Sequence, residues 1–572
     1  MRQSRKERLN KLIENPEISV LIIGAGINGI GTFLDLALQG VDVVMIDRND
    51  YCSGASSASS HMVHGGIRYL ENGEFRLVRE AVQERNRLLE NAPHLVRQLP
   101  TTFPIFKRFS GLLNAPLKFL GLLDKPSERG ALVIKIGMML YDFYTRKQKT
   151  VPHHVFMNKT ESLENFPMLN PEIIYTGTYY DGAMHSPERI AIEIISDAVE
   201  ENKLAIPLNY TSAISVKGDT VTIRDEIDGI TTTVKPKILI NAGGPWIDQI
   251  NHFMGHETDY IRGTKGSHII IDNPELRKAI GENEFFFENN DGRIVLIYPL
   301  EDKILIGTSD IEVESPDQVV ITDNEVHYFI DMIKKVFPTI SVEFSQIVYA
   351  FSGVRPLTSS NASMTGQISR DHKIKIDEPG NGISFPIYSL IGGKWTTYRA
   401  FSEKACDLVL QKLGKDRVRS TTDFKLGGGK GFPKTDPDKA LFFDSILGKM
   451  EISKDRLESL FSKYGTKVSS MLNHAANQKE ATLKNYPDIS VNEIHYIVSN
   501  EDVVHLDDLI FRRSMLGKLG RLTQDGLTEV CTIAAQAPGW DELKKKEEIK
   551  RVITILQTKH RMNFNHFISG NN

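Results

Sequence analysis

The stretch ISVLIIGAGINGIGTFLDLALQGVDVVMID, Ile18 to Asp47, decides the fold. Val20 to Ile23 is a short apolar run rich in β-branched residues, the composition of a parallel strand buried on both faces. Gly24, Gly26 and Gly29 follow as G-x-G-x-x-G, with Asn28 inside the turn. The first glycine allows a tight turn, the second lets backbone approach a pyrophosphate, and the third lets the helix pack close to the strand. The helix N-terminus then presents unpaired N–H groups and the positive end of its dipole to the phosphates. A second apolar run, Val41 to Ile46, ends in Asp47, where a carboxylate would hold ribose hydroxyls. Strand, glycines, helix, strand and terminal acid in register predict a dinucleotide-binding βαβ unit. The plainer reading is an ordinary βαβ unit with a glycine-rich turn.

A chain of 572 residues predicts two or three domains. With 40% hydrophobic and 25% charged residues it is typical of soluble globular proteins. Its net charge of −4 gives no global basic field for nucleic acid. Cys52, Cys406 and Cys531 form no C-x-x-C pair, so neither a disulfide framework nor a thiolate metal site is expected, which suits a reducing compartment. The basic N-terminal residues lead straight into the first strand rather than into a signal-peptide core, and no uncharged apolar run of 18 residues predicts a membrane span.

Beyond Asp47, Gly54 to Ser60 is small and hydroxyl-rich, either a plain loop or one that offers donors to a cofactor. His64-Gly65-Gly66-Ile67-Arg68-Tyr69 follows, and Glu74 to Leu99 reads as one long amphipathic helix. Between Lys107 and Lys149, Phe109, Leu112, Leu113, Leu117, Phe119 and Leu120 lie among Arg108, Lys118, Arg146 and Lys147. Such a stripe is ordinarily core; its basic flanks make an in-plane membrane contact the alternative. Tyr179 to Ile190 reads as a loop opening a helix that runs to about Asn202. A strand before Ala242-Gly243-Gly244, and another before Gly392-Gly393, offer further close approaches of backbone to a ligand. The Gly-, Pro- and Lys-rich segment 424–439 reads as a linker, with a boundary near 415–435 and a helical pattern after it.

GAGINGIG, SSASSHMVHGGIRYLE, NAGGPW, KGSH, GTSD, SGVRP and GGKWTTYR, in this order from about residue 18 to 405, resemble the FAD-dependent glycerol-3-phosphate dehydrogenases. The resemblance implies an α/β fold. A Rossmann-like FAD-binding domain would be formed by residues 1–104, 186–259 and 346–415. A D-amino-acid-oxidase-like α+β substrate domain would be formed by 105–185 and 260–345. An all-helical C-terminal domain, 436–572, would follow a linker at 416–435. It departs from the family pattern at Phe33, where small residues are usual, and at Asp47, where Glu is usual. It also lacks the D-x-D-x-D-G calcium loop of mitochondrial relatives.

The implied reaction is oxidation of sn-glycerol 3-phosphate, with electrons passed to membrane quinone. The alternatives are an oxidase that passes them to oxygen, an amine or amino-acid oxidase of the same fold, and a non-catalytic flavin-bound sensor. The FAD contacts would come from Gly24, Gly26, Asn28, Gly29, Asp47, Ser56, Ser57, Ser59, Ser60, His64, Gly65, Gly66, Ala242, Gly243, Gly393, Lys394, Thr396 and Thr397. Phosphate favours guanidinium forks, which bind two oxygens at once. Arg68, Arg355 and Arg370 are the candidates, with Tyr69 and Lys394 beside them at the substrate. His268 is an ordinary core histidine on residue type alone; within its motif it becomes a substrate contact and the candidate proton acceptor, with Arg355 as an electrostatic stabiliser of an alkoxide. Alternatively, Thr396 or Thr397 caps a helix. Thr308 and Asp310 are expected to brace their turn. No metal is expected. The implied location is cytoplasmic, peripheral on the inner face of the cell membrane against anionic lipid, with a homodimer left open.

Overall fold

A computed structural model describes residues 3–66, 75–107, 131–145, 150–288, 294–317, 319–359, 371–474 and 480–562. Its first sheet runs Lys373–Asp377, Ile387–Ile391, Thr231–Asn241, Glu17–Ile23, Val43–Ile46, Ala205–Leu208. All neighbours are parallel except the first pair. Glu17–Ile23 lies at the centre, which is why its sequence is continuously apolar rather than alternating. One face is covered by the helices Ile27–Leu38, Pro187–Glu201 and Tyr398–Leu413, through Ile30, Phe33, Ile194, Phe401 and Val409. Phe33 is fully buried in this layer, so the large residue is accommodated. The other face packs on the Thr211–Lys217/Thr220–Asp225 hairpin and on the helix Arg5–Glu14, through Leu9 and Leu12.

The second sheet centres on Ile261–Ile271, which pairs antiparallel with Lys303–Gly307 and with Ile347–Thr358. It continues through Ile294–Leu300, Glu284–Glu288, Val96–Ile105, Tyr175–Met184 and Met62–Val63. Ile269 and Ile271 point to a layer built around the helix Asp323–Val336. Ile270, Tyr349 and Phe351 point the other way, onto the C-terminal helices. This alternation puts His268 on the same face as Ile270.

Two local readings are corrected. The helix expected to reach Leu99 is described from Phe75 and ends at Asn91, and Val96–Ile105 is a strand. Pro93 forbids the helical conformation at its predecessor and supplies no N–H. Tyr175–Met184 is also a strand rather than a loop, paired along its length with Val96–Ile105.

The glycine-rich segment before the C-terminal helices is packed rather than open. Gly427, Gly428 and Gly429 are buried, and a Cβ on them would collide with Glu193, the Tyr464 carbonyl and the Asn91 carbonyl respectively. Gly427 N–H donates to Asp197 at 2.7 Å and Gly428 N–H to Glu193 at 3.1 Å. Phe109, Leu112, Leu113, Leu117, Phe119 and Leu120, with Arg108, Lys118, Arg146, Lys147 and Lys149, lie outside the described residues.

Candidate active site

Gly24 adopts φ 109°, and a Cβ there would lie 2.5 Å from the Ala242 carbonyl oxygen; one at Gly29 would collide with the Gly24 carbonyl. The turn and the first residues of the Ile27–Leu38 helix are thereby drawn against the end of the Thr231–Asn241 strand. Ser56 Oγ accepts from Ile27 N–H at 2.9 Å, which puts the hydroxyl-rich loop at the helix N-terminus. Trp395 Nε1 donates to the Ser56 carbonyl at 2.9 Å, and Thr396 Oγ1 bonds both the N–H and the C=O of His64 at 3.2 Å. Asn28 Nδ2 donates to the Gly392 carbonyl at 2.9 Å. Four segments distant in sequence thus converge on one helix N-terminus: 24–29, 54–66, 242–244 and 392–397.

The cradle fits a dinucleotide. A side chain at Gly393, at φ 93°, would strike Asn28. Asn28 Oδ1 is buried with no hydrogen-bond partner, an acceptor left for a ligand. Asp47 accepts from Ala25 N–H at 2.8 Å and Asn49 N–H at 2.9 Å, and burial pushes its carboxyl up to about 6 against these bonds. Its oxygens retain lone pairs for ribose hydroxyls. Ser57 Oγ bonds the Gly54 carbonyl at 3.0 Å, and Ser59 Oγ accepts from His61 N–H at 3.4 Å, so both brace the loop. Gly65 N–H donates to Asp181 and Tyr141 at 3.0 Å, and Gly66 sits at φ 71°. Gly243 N–H donates to Asn241 Oδ1 at 3.1 Å. Thr397 occupies the N-cap of the Tyr398–Leu413 helix but its hydroxyl makes no capping bond; Lys394 lies in the turn before it.

Strand register assembles the rest. Ile261–Ile271 pairs Thr264 with Arg355, Gly266 with Gly353 and His268 with Phe351, so all six share one face. The opposed glycines make room for what lies over them: the Arg355 guanidinium over Gly266, and Ala58 of the hydroxyl-rich loop over Gly353. His268 stacks on Phe351 with centroids 4.8 Å apart, and its Nε2 is 2.8 Å from Ser60 Oγ. Its Nδ1 is buried without a partner. Burial first, then the charges of Arg355 and Lys518, push its pKa down to about 3, so the imidazole is neutral at pH 7. Arg355 is held by Thr308 Oγ1 at 2.6 Å, the Ser309 carbonyl at 3.1 Å and Asp310 Oδ1 at 3.3 Å, and its side chain remains 26% exposed. Thr308 and Asp310 therefore brace the guanidinium. Arg68, Tyr69 and Arg370 lie outside the described residues. Phe351, Gly353, Trp395 and Lys518 went unread because strand register and domain packing, not motif spacing, bring them here.

Residues 19–389 match the model of the FAD dependent oxidoreductases, and 419–545 that of the C-terminal domain of alpha-glycerophosphate oxidase. A glycerol-3-phosphate dehydrogenase of Synechocystis is 31% identical, covering 94% of this chain and 96% of its own length. The chain belongs to the FAD-dependent glycerol-3-phosphate dehydrogenase/oxidase family. A further member, a probable mitochondrial glycerol-3-phosphate dehydrogenase of Dictyostelium discoideum, is 30% identical over 97% of this chain and 86% of its own. The family's fold is seen in the FAD-complexed glycerol-3-phosphate dehydrogenase of Bacillus halodurans, with TM-score 0.74 and 24% identity, covering 97% of each chain. The cofactor is FAD, held in an α/β fold with a C-terminal helical domain.

Proposed function

We propose that this protein oxidises sn-glycerol 3-phosphate to dihydroxyacetone phosphate and passes the electrons to membrane quinone. The observation that carries the reading is the glycine-floored face between His268 and Arg355, beside the FAD cradle. FAD, when bound, supplies the hydride acceptor. Arg355 offers a fork to the phosphate, and Thr308, Ser309 and Asp310 fix its direction. Arg68, Tyr69, Arg370 and Lys394 complete this proposed phosphate and substrate shell. His268 is neutral at physiological pH and takes the hydroxyl proton as the hydride leaves carbon; Ser60 orients its ring. Gly24, Gly26, Asn28, Gly29, Asp47, Ser56, Ser57, Ser59, Ser60, His64, Gly65, Gly66, Ala242, Gly243, Gly393, Lys394, Thr396 and Thr397 form the proposed FAD shell.

Among the described residues no helix is long and apolar enough to cross a membrane, so a quinone must be met from the surface. The helix Ala131–Thr145 supports that. Met138 and Tyr141 are buried on one side, while Leu132, Ile136, Met139 and Phe143 are 42–56% exposed at spacings of four, three and four. This outward stripe suits in-plane contact with the inner face of an anionic membrane, from the cytoplasm. The test is vesicle sedimentation with a variant carrying Ser at those four positions. The variant is expected to lose vesicle binding and quinone reduction while keeping activity with a soluble dye. Unchanged sedimentation and rapid reoxidation by oxygen alone would favour the oxidase.

A further inference from the structure

The C-terminal helices cover the face of the second sheet that carries His268, and one buried cation from the turn between two of them reaches its surroundings. Lys518 is 3% exposed, with Nζ 2.5 Å from Glu188 Oε1 and 3.3 Å from His61 Nε2. The same ammonium lies 5.9 Å from the centroid of Phe351, the ring on which His268 stacks. His61 is strapped down by Met184, whose N–H donates to the His61 carbonyl at 2.7 Å and whose carbonyl lies 3.2 Å from His61 Nδ1. Its backbone sits at φ 57°, a conformation held by this tertiary context. The preceding residue, Ser60, carries the hydroxyl bonded to His268. Lys518 therefore stands behind His268 by two routes: through Phe351, and through His61 and its peptide link to Ser60.

We propose that Lys518, contributed by the C-terminal domain, is a positioning residue that seats the Ser60–His268 pair and keeps the imidazole unprotonated for catalysis. The inference rests on the reading of His268 as the proton acceptor. Among the described residues, the charged and titratable groups around His268 are Arg355 from the neighbouring strand, Asp310 behind that arginine, His61 from the hydroxyl-rich loop, and Lys518 with Glu188. Glu325 acts one residue away, through Ser267 at 2.7 Å. His61 is itself driven below its ordinary value, first by burial and then by Lys518, and so adds no positive charge. Arg355 and Lys518 are thus the cations that disfavour a proton on His268, and they arrive from opposite structural origins, one from the sheet and one from the added domain.

The test uses the FAD-loaded full chain with a soluble dye, reading kcat/KM against pH. Lys518→Gln can still bond Glu188 and His61 but removes the charge. Its acidic limb is expected to move up by about 0.5–1 pH unit, with activity well above the limb close to that of the parent. Lys518→Arg is expected to leave the limb in place. If the Gln variant does not load FAD, Lys518→Met is read instead: its limb is expected to move up likewise, with lower activity above the limb because the bonds to Glu188 and His61 are lost. A folded, FAD-loaded, charge-free variant whose limb does not move overturns the proposal. His268→Ala separates this failure from that of the underlying reading: if the limb survives without His268, the proton acceptor is elsewhere, and if it disappears while Lys518 variants leave it unmoved, only the role of Lys518 is lost.

Discussion

Arg355 and Arg513 are both held by hydrogen bonds to well-defined partners, yet they do different work. Arg513 spends its fork on Asp50, at 2.7 and 2.9 Å, and its remaining N–H groups on the Glu501 carbonyl. Arg512 joins it, at 2.5 Å from Asp50 and 2.6 Å from Asp508. Burial alone would raise the Asp50 carboxyl, but the two arginines hold it well below the usual carboxylate range. Asp50, Asp508 and Arg513 are buried, and Arg512 nearly so, where the C-terminal domain meets the first sheet. The partners of Arg355 include a hydroxyl, a carbonyl and one carboxylate oxygen at 3.3 Å, and its side chain is 26% exposed above Gly266. One arginine centre is closed by carboxylates and fastens two domains; the other is the one proposed to meet the substrate phosphate. The same division separates Asp47, which faces the cofactor turn, from Asp50 three residues later, which faces the C-terminal domain.

The comparison can be broken most forcefully at the proposed proton acceptor. His268→Ala is expected to lower kcat by roughly 10²–10⁴-fold, the usual share of general acid–base catalysis, and to remove the acidic limb of the rate profile. A loss of affinity alone would make His268 a binding residue. At the closed centre, Asp50→Ala takes from the buried Arg513 guanidinium its bidentate carboxylate, while Arg512 keeps Asp507 and Asp508. It should cost about 3–5 kcal/mol of stability, read by denaturant unfolding, because an uncompensated buried charge is expensive. At the open centre, Arg355→Lys keeps the charge but loses the fork. It should cost about 1.5–3 kcal/mol in kcat/KM and leave the unfolding midpoint nearly unchanged. Stability loss at Arg355, or activity loss without stability loss at Asp50, would erase the distinction.

The smallest expected effect near neutral pH is on stability, and it grows only as the solution is acidified. His268 has a folded pKa of about 3 against an unfolded value of about 6.5. Between these values the unfolded chain binds the extra proton, so stability falls as pH drops from about 6.5 to 3. The contribution is fully present only above the unfolded value. His268→Asn should flatten that slope by at most about 1.4 kcal/mol per pH unit, in urea titrations at fixed ionic strength.

How much of this could be read in the chain follows from sequence distance. The Gly24–Asp47 unit is contiguous and its glycine spacing is itself the signal, so strand, turn and helix were legible together, although the close approach at Gly24 is to distant Ala242. The hydroxyl-rich loop, His268 and Arg355 were legible as parts of motifs. Their relation was not, because the pairing of Gly266 with Gly353 and of His268 with Phe351 depends on register between strands some eighty residues apart. The long helix misread through Leu99 shows the converse. Leu95, Val96 and Leu99 fit a helical stripe as well as a strand edge, and Pro93 was the only local signal of a break. The segment around Gly427 was read as open because glycine is common in linkers; here it is glycine because Glu193, Tyr464 and Asn91 leave no space for a Cβ.

The central claim is that the face between His268 and Arg355 presents a phosphorylated secondary alcohol to FAD. Anaerobic mixing of the purified holoprotein with sn-glycerol 3-phosphate, watching the flavin band near about 450 nm, tests it most directly. Rapid bleaching is expected, with glycerol at the same concentration leaving the band almost unchanged and Arg355→Lys slowing the bleach at subsaturating substrate. A band untouched by sn-glycerol 3-phosphate but bleached by an amine or amino acid, or bleached equally by glycerol, would contradict the account.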